Sequence, residues 1–264
     1  MKNVDFVAQM ELFLEALFKD ATARNNAIVF NYNPNYPRYL NFDSPKLLSI
    51  IKNLSKFYLN EVNDAKLLIA FNLVSYSLQL IHFDIRIKCD AAPKNPNEKL
   101  VREAGELAKE LNAKITRSDE GFDINISIPL PKSGSFKRQN TEIPSLSGKN
   151  AIIACDDENL FLTLSHELSF TGLKLSKQKS LESLNLHIRD AIFRPDIIFI
   201  QKEYLDDKEM LEAVLTYQKL KNFYIVVICK GEGIEATNEK IGILRQPFTS
   251  DSLHETLEMI VRSF

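Results

Sequence analysis

The 264-residue sequence is poor in glycine and has no tryptophan. Its eight glycines are about 3% of the chain, under half of the roughly 7% usual in proteins. Only Gly105 and Gly121 precede residue 134. A loop that cradles phosphate needs glycine, because the backbone must approach the ligand closely and often with positive φ. The shortage therefore argues against a nucleotide-binding loop in the first half. Cysteine is also scarce: Cys89, Cys155 and Cys229 are odd in number, far apart, and each set in an apolar run. That pattern fits buried free thiols in a reducing cytoplasm better than disulfides or a metal site. No apolar run approaches the ~18–20 residues that span a bilayer. Met1 leads into an amphipathic stretch with acidic residues, unlike a secretory signal. A net charge of −2 supplies no basic surface for nucleic acid. The expectation is a cytoplasmic protein with neither nucleic acid nor membrane as partner.

The chain does contain enough apolar residues, 45%, to bury two cores, and its length suits two domains. Residues 1–131 carry 16 basic and 16 acidic side chains, residues 132–149 four and one, and residues 150–264 13 and 18. The short basic stretch is polar, bracketed by Pro131 and Pro144, and without apolar periodicity. It sets the expected division: a domain over 1–131, a linker over 132–147 and a domain over 148–264.

Upstream of the linker, apolar spacing predicts helices over 5–23, 43–59 and 97–112. Strands are predicted over 26–31, 66–73, 78–89, 115–117 and 122–130. In the third, Leu80, His82, Asp84, Arg86 and Lys88 share one face. Helices on one face of a mixed sheet make an α+β sandwich. Downstream, short apolar strands at 151–155, 173–175, 197–200, 224–228 and 241–244 alternate with helices. That rhythm predicts a five-stranded, doubly wound parallel sheet of α/β type, with its ligand crevice at the carboxyl ends of the strands.

Three segments at those ends resemble a response-regulator receiver domain. Leu146–Asn159 is similar to an opening strand that ends in an acidic pair, here Asp156 and Asp157. Residues 195–200, Pro-Asp-Ile-Ile-Phe-Ile, resemble the strand that delivers the phosphoacceptor, and Gln246-Pro247-Phe248 stands where that family has Lys-Pro-Phe. The resemblance implies an Mg²⁺ site at the acidic pair and acceptor, with a hydroxyl and a lysine for the phosphoryl oxygens. Here the acceptor position is Gln201, the hydroxyl position Cys229 and the lysine position Gln246. An amide cannot form an acyl phosphate, since its oxygen is not a competent nucleophile. Aspartyl phosphorylation is not expected, and Asp156 and Asp157 remain weak Mg²⁺ candidates. Asp157 also fits the N-cap of the following helix, and Asp196 and Glu203 are expected to point away from the site.

The first half resembles the ATP-binding domain of histidine kinases, of the GHKL superfamily. Residues 43–54 are similar to its first ATP-lining helix, 100–108 to the helix after its lid, and 113–131 to its closing hairpin. The machinery implied by the resemblance is degenerate. Asn53 stands one turn before the metal-binding asparagine position, which is Phe57. Asp90 is a remnant of the adenine-binding turn without its glycines, and residues 94–98 replace a glycine-rich lid. The helix over 5–23 has no histidine, and His82, His166, His187 and His254 read as structural.

The expected function is a two-component signalling module, with neither ATP hydrolysis nor phosphoryl acceptance and with no cofactor. It would bind a histidine kinase, a response regulator or itself, through helix 5–23 or through residues 241–264. Two alternatives stay open: a segment of, or an unconventional, hybrid kinase with residual phosphotransfer, and a sensor whose vacated cleft near Phe57 holds a small apolar ligand.

Overall fold

A computed structural model describes residues 3–130, 143–231 and 240–262. The chain divides into two compact units, Met1–Gln139 and Asn140–Phe264, each described by itself.

In the first unit the order is β1 (Asn3–Asp5), α1 (Phe6–Thr22), β2 (Ala27–Tyr32), β3 (Tyr39–Asn41), α2 (Ser44–Leu59), β4 (Lys66–Tyr76), β5 (Leu80–Cys89), α3 (Glu98–Glu110), β6 (Lys114–Ser118) and β7 (Gly121–Pro129). The main sheet runs β2-β4-β5-β7-β6, with β2 and β4 parallel and every other pair antiparallel. Its inner face, with Ile81, Phe83, Ile85 and Ile87 of β5, is buried under the helices. The alternate residues carry a polar outer ladder: His82 with Ser127, Asp84 with Asn125, Arg86 with Asp123, and Lys88 with Glu120. Strict alternation of this kind is what an antiparallel sheet with one solvated face requires.

Local chemistry starts each helix. Asp5, Asp43 and Asn97 cap α1, α2 and α3 through bonds from the backbone N–H groups of Ala8, Lys46 and Lys99, and Pro45 sits in the first turn of α2. The buried Asn26 bonds Val62 O and Ala65 N at 3.0 and 2.9 Å, fastening the α2–β4 connection to β2. Beneath α1, the rings of Phe6, Tyr32 and Phe71 lie 5.0–5.5 Å apart. Phe6, Leu14 and Leu17 are 0–2% exposed. The apolar stripe of α1 is therefore spent on its own unit, which corrects the expectation that it forms a partner surface. The small β1–β3 pair, Asn3↔Asn41 to Asp5↔Tyr39, was not legible beforehand.

The second unit opens earlier than its sequence suggests. Ile143 and Leu146 are buried around a short 3-10 turn at Pro144–Leu146. Residues 143–147 thus belong to the unit instead of the linker, because burying two apolar side chains outweighs their polar neighbours. The rest of the expected linker, 132–142, lies outside the described residues. The elements that follow are β8 (Asn150–Ala154), α4 (Glu158–Ser169), β9 (Lys174–Gln178), α5 (Leu181–Arg189), β10 (Ile197–Gln201), α6 (Lys202–Leu205), α7 (Lys208–Lys221), β11 (Tyr224–Lys230), β12 (Ile241–Gln246) and α8 (Ser250–Val261). The sheet is wholly parallel in the order β9-β8-β10-β11-β12. Leu184, Ile188, Met210 and Val214 of α5 and α7 pack on Ile152, Ile198, Ile200 and Ile225. The chain winds outward in both directions from β8, so the crevice lies at the carboxyl ends of β8 and β10.

Between α4 and α8 a carboxyl group is buried. Glu167 is 7% exposed, hydrogen-bonded to Ser250 and close to Asp251, and burial raises its pKa to about 8. An acid with a raised folded pKa contributes most below its unfolded value of about 4.5, and that contribution fades as pH rises toward 8. Thermal melts should therefore show stability falling across that window. Glu167→Gln should flatten the fall and raise the melting temperature at pH 8.

Candidate functional site

Asp156, Asp157 and Gln201 lie at the carboxyl ends of β8 and β10. Asp157 caps α4, its Oδ1 accepting from Leu160 N at 3.1 Å, and it is largely buried. Asp156 is exposed. Gln201, 5% exposed at the last position of β10, turns its Oε1 to the Asp156 backbone N–H at 2.9 Å. The acceptor position therefore forms a neutral bridge between the two strands. Cys229 is buried and donates from Sγ to Gly231 O at 3.6 Å, and Gln246 is buried at the end of β12.

The cations around this crevice are already engaged. Lys177 pairs with Glu158 at 3.0 Å and lies 3.5 Å above the Phe161 ring. Lys230 pairs with Glu203 at 3.6 Å. Glu203 thus stands at the carboxyl edge, which corrects the expectation that it points away: the turn into α6 swings it toward β11. Asp196 does lie at the other end of β10, bonding Asn150 N and Lys149. Burial pushes the Tyr204 phenol and the Cys155 thiol up to about 12, helped by the charges of Asp156 and Asp157 respectively, so both stay protonated and unreactive. An Mg²⁺ ion of octahedral habit needs several converging oxygens. Asp157 Oδ1 accepts from Leu160 N and Gln201 Oε1 from Asp156 N, so both oxygens already hold a backbone N–H. Among the described residues no group of three or more His, Cys, Asp or Glu could hold a metal.

In the first unit the aromatic side chains around Phe57 pack against one another. Phe57 of α2 is 1% exposed, its ring 5.1 Å from Tyr58 and 5.2 Å edge-on to Phe122 of β7. The Arg117 guanidinium lies 4.8 Å over Phe57 and 5.5 Å over Phe122, and it bonds Glu98 of α3 at 2.9 Å. A cation over an aromatic face contributes about 0.5–2 kcal/mol, and here it also ties the start of α3 to the sheet. At the far end of α3, Glu110 meets Lys46 of α2 at 2.9 Å. Asn53 is half-buried one turn before Phe57. Asp90 is exposed and spent on the sheet, its Oδ1 accepting from Lys66 N at 2.8 Å. With Phe57 enclosed by Tyr58, Phe122 and Arg117, it lines no open cleft, and the expected apolar ligand chamber is absent at that residue.

Two closures were missed by sequence reasoning. Arg117 and Glu98 are 19 residues apart, and Asp156 and Gln201 are 45 apart. The available signal for the first was an arginine opposite an aromatic in a predicted hairpin; register then pairs Arg117 with Phe122.

No family profile matches this sequence, and no curated protein does. Among solved structures, full-length ShkA in complex with AMPPNP superposes with a TM-score of 0.67 at 12% identity, over 98% of this chain. The chain spans 57% of the length of that protein. Part of the chain also aligns with the histidine kinase AdeS of Acinetobacter baumannii: TM-score 0.38, 18% identity, 48% of this chain and 66% of AdeS. Another part aligns with a response regulator receiver domain protein of Bacillus halodurans: TM-score 0.36, 14% identity, 42% of this chain and 96% of that one. The fold is a kinase-type ATPase unit followed by a receiver-type unit. The mixed and parallel sheets both agree with that fold. No described helix is long and apolar enough to cross a membrane.

If the Phe57 cluster is a core, truncating it is costly. Phe57→Ala should destabilise the first unit by about 3–5 kcal/mol in urea unfolding, the range for buried aromatics. It should do so without creating affinity for ATP.

Proposed function

We propose that this chain acts in two-component signalling as a non-catalytic binding module, a pseudo-kinase unit joined to a pseudo-receiver unit. The observation that carries this reading is Gln201, whose oxygen accepts from Asp156 N–H where a phosphoacceptor carboxylate would stand. A neutral amide held this way presents no nucleophile and leaves Asp156 and Asp157 without a third carboxylate for a metal. The enclosed Phe57–Phe122–Arg117 cluster supports the same reading for the first unit. Output then depends on protein contacts: with a histidine kinase, a response regulator or a second copy, in the cytoplasm and without a cofactor.

Purified protein incubated with γ-labelled ATP and Mg²⁺, and separately with labelled acetyl phosphate, should retain no acid- or base-labile label. Its melting temperature should not move with Mg²⁺–AMPPNP. Stoichiometric label on either unit, or a saturable shift with the nucleotide, would contradict the proposal.

A further inference from the structure

The second unit is electrically polar along its strands. All five strands of its sheet are parallel, so their amino ends share one edge, and the helices that join them return their last turns to it. Helix α8 ends there as well, its Ile260 lying against Gly242 near the start of β12. At that edge residues 147–149, 170–174, 186–196, 218–223 and 258–262, with Lys240, hold eight basic and three acidic side chains. The other described residues of the unit hold six and twelve. The chain's net charge of −2 conceals this division. Of the acids at the edge, Asp196 is paired with Lys149 at 3.3 Å, and Asp190 Oδ1 accepts from Ile192 N at 2.8 Å. Arg194 and Lys219 are exposed and form no ion pair among the described residues.

The same edge exposes large apolar side chains. Leu186, in the last turn of α5, is 66% exposed; Ile192, in the loop before β10, is 92% exposed; Leu220, in the last turn of α7, is 72% exposed. Lys221 holds their supports together, its Nζ donating to the carbonyls of Asp190 and Phe193, the second at 3.0 Å. The Phe193 ring in turn meets the His187 ring of α5 edge to face at 5.5 Å. Helix α5, the loop and α7 are thus fastened to one another, and the three apolar side chains stand outside the fastening. Basic residues in a last helical turn complement the helix dipole, which accounts for Arg189, Lys219 and Lys221. It accounts neither for Arg194, which lies in the loop, nor for the apolar side chains beside them.

We infer that this edge rests on an anionic lipid surface, with Leu186, Ile192 and Leu220 entering the headgroup boundary and Arg194 and Lys219 lying against lipid phosphates. Charge complementarity sets the sign of the partner, and the apolar side chains set its kind. Nucleic acid would answer the charge, but its phosphate backbone offers nothing to an isoleucine in solvent. An acidic protein would need a recess for each of three side chains carried on separate elements. A bilayer interface admits each of them independently and draws the basic groups to its phosphates. The attachment is peripheral, since no described helix is long and apolar enough to cross a membrane. It is also weak. Three apolar side chains fall short of one myristoyl chain, whose association constant is about 10⁴ M⁻¹, so half-binding is expected at about 1 mM lipid. Neither phosphate-type site takes part: a chain that ignored lipid would leave the non-catalytic reading standing, and a phosphorylated one would leave the attachment standing.

Flotation of the full chain with lipid vesicles tests the attachment. Vesicles of phosphatidylcholine with roughly one-third phosphatidylglycerol should carry the protein, and phosphatidylcholine alone should not. Raising salt from about 0.1 to about 0.5 M should cut binding about fivefold. Ile192→Asp, and separately the double variant Arg194→Glu, Lys219→Glu, should each lose about tenfold in binding at an unchanged melting temperature. Leu162→Ser, at an exposed leucine of α4, should bind as wild type does. The chain has no tryptophan, so Ile192→Trp supplies a single reporter whose emission should shift to the blue with the anionic vesicles. No binding to those vesicles, binding that Ile192→Asp leaves intact, or capture by soluble polyglutamate in place of vesicles would overturn the inference.

Discussion

Two carboxylates at the end of a buried parallel strand tolerate a third only if a cation joins them. Gln201 beside them adds no third charge and so makes no demand for a cation. Like charges a few ångströms apart in a partly buried crevice repel by several kcal/mol, on the order of 4 at an effective dielectric near 20. A neutral amide avoids that cost and adds a hydrogen bond across β8 and β10. The neighbouring lysines are then free to serve other acids, and Lys177 and Lys230 do so with Glu158 and Glu203. Gln246, buried at the end of β12, suits the same balance: without an anion in the crevice, a buried ammonium there would have no partner.

The first unit reaches the same end by packing instead of charge. Its aromatic core continues under α2 through Phe57 into Phe122, and Arg117 closes the stack on its solvent side while bonding Glu98. The connection before α3 ends in Asn97, which caps the helix. The few glycines sit where the backbone needs them for other reasons. Gly121, with φ +151°, starts β7 so close to Ile87 that an added Cβ would lie 2.3 Å from its carbonyl oxygen.

Much of this was legible because both folds announce themselves through period. Alternation in β5 sorted Ile81, Phe83, Ile85 and Ile87 from His82, Asp84, Arg86 and Lys88, and the structure buries the first set. Asp157 was readable as a cap because capping is local. What escaped was nonlocal or brief. The three-residue strands β1 and β3 meet across 38 positions in a register no local pattern encodes. The Arg117–Glu98 and Gln201–Asp156 contacts depend on strand order, and the placement of Glu203 depends on a four-residue helix too short to show a period. Helix α1 was read correctly as amphipathic, but period alone does not say whether an apolar face meets its own core or a partner. The aromatic cluster of Phe6, Tyr32 and Phe71 decides that it meets its own.

On the proposed reading, both phosphate-type sites are closed by the chain's own side chains, one by a neutral hydrogen bond and one by an aromatic stack. The most direct measurement is a ¹H–¹⁵N correlation spectrum of the full chain titrated with Mg²⁺–beryllofluoride and, separately, with Mg²⁺–AMPPNP. The amides of Asp156, Asp157 and Gln201 should stay in place in the first titration, and those of Phe57, Tyr58 and Arg117 in the second. Saturable shifts confined to either set would contradict the closure of that site.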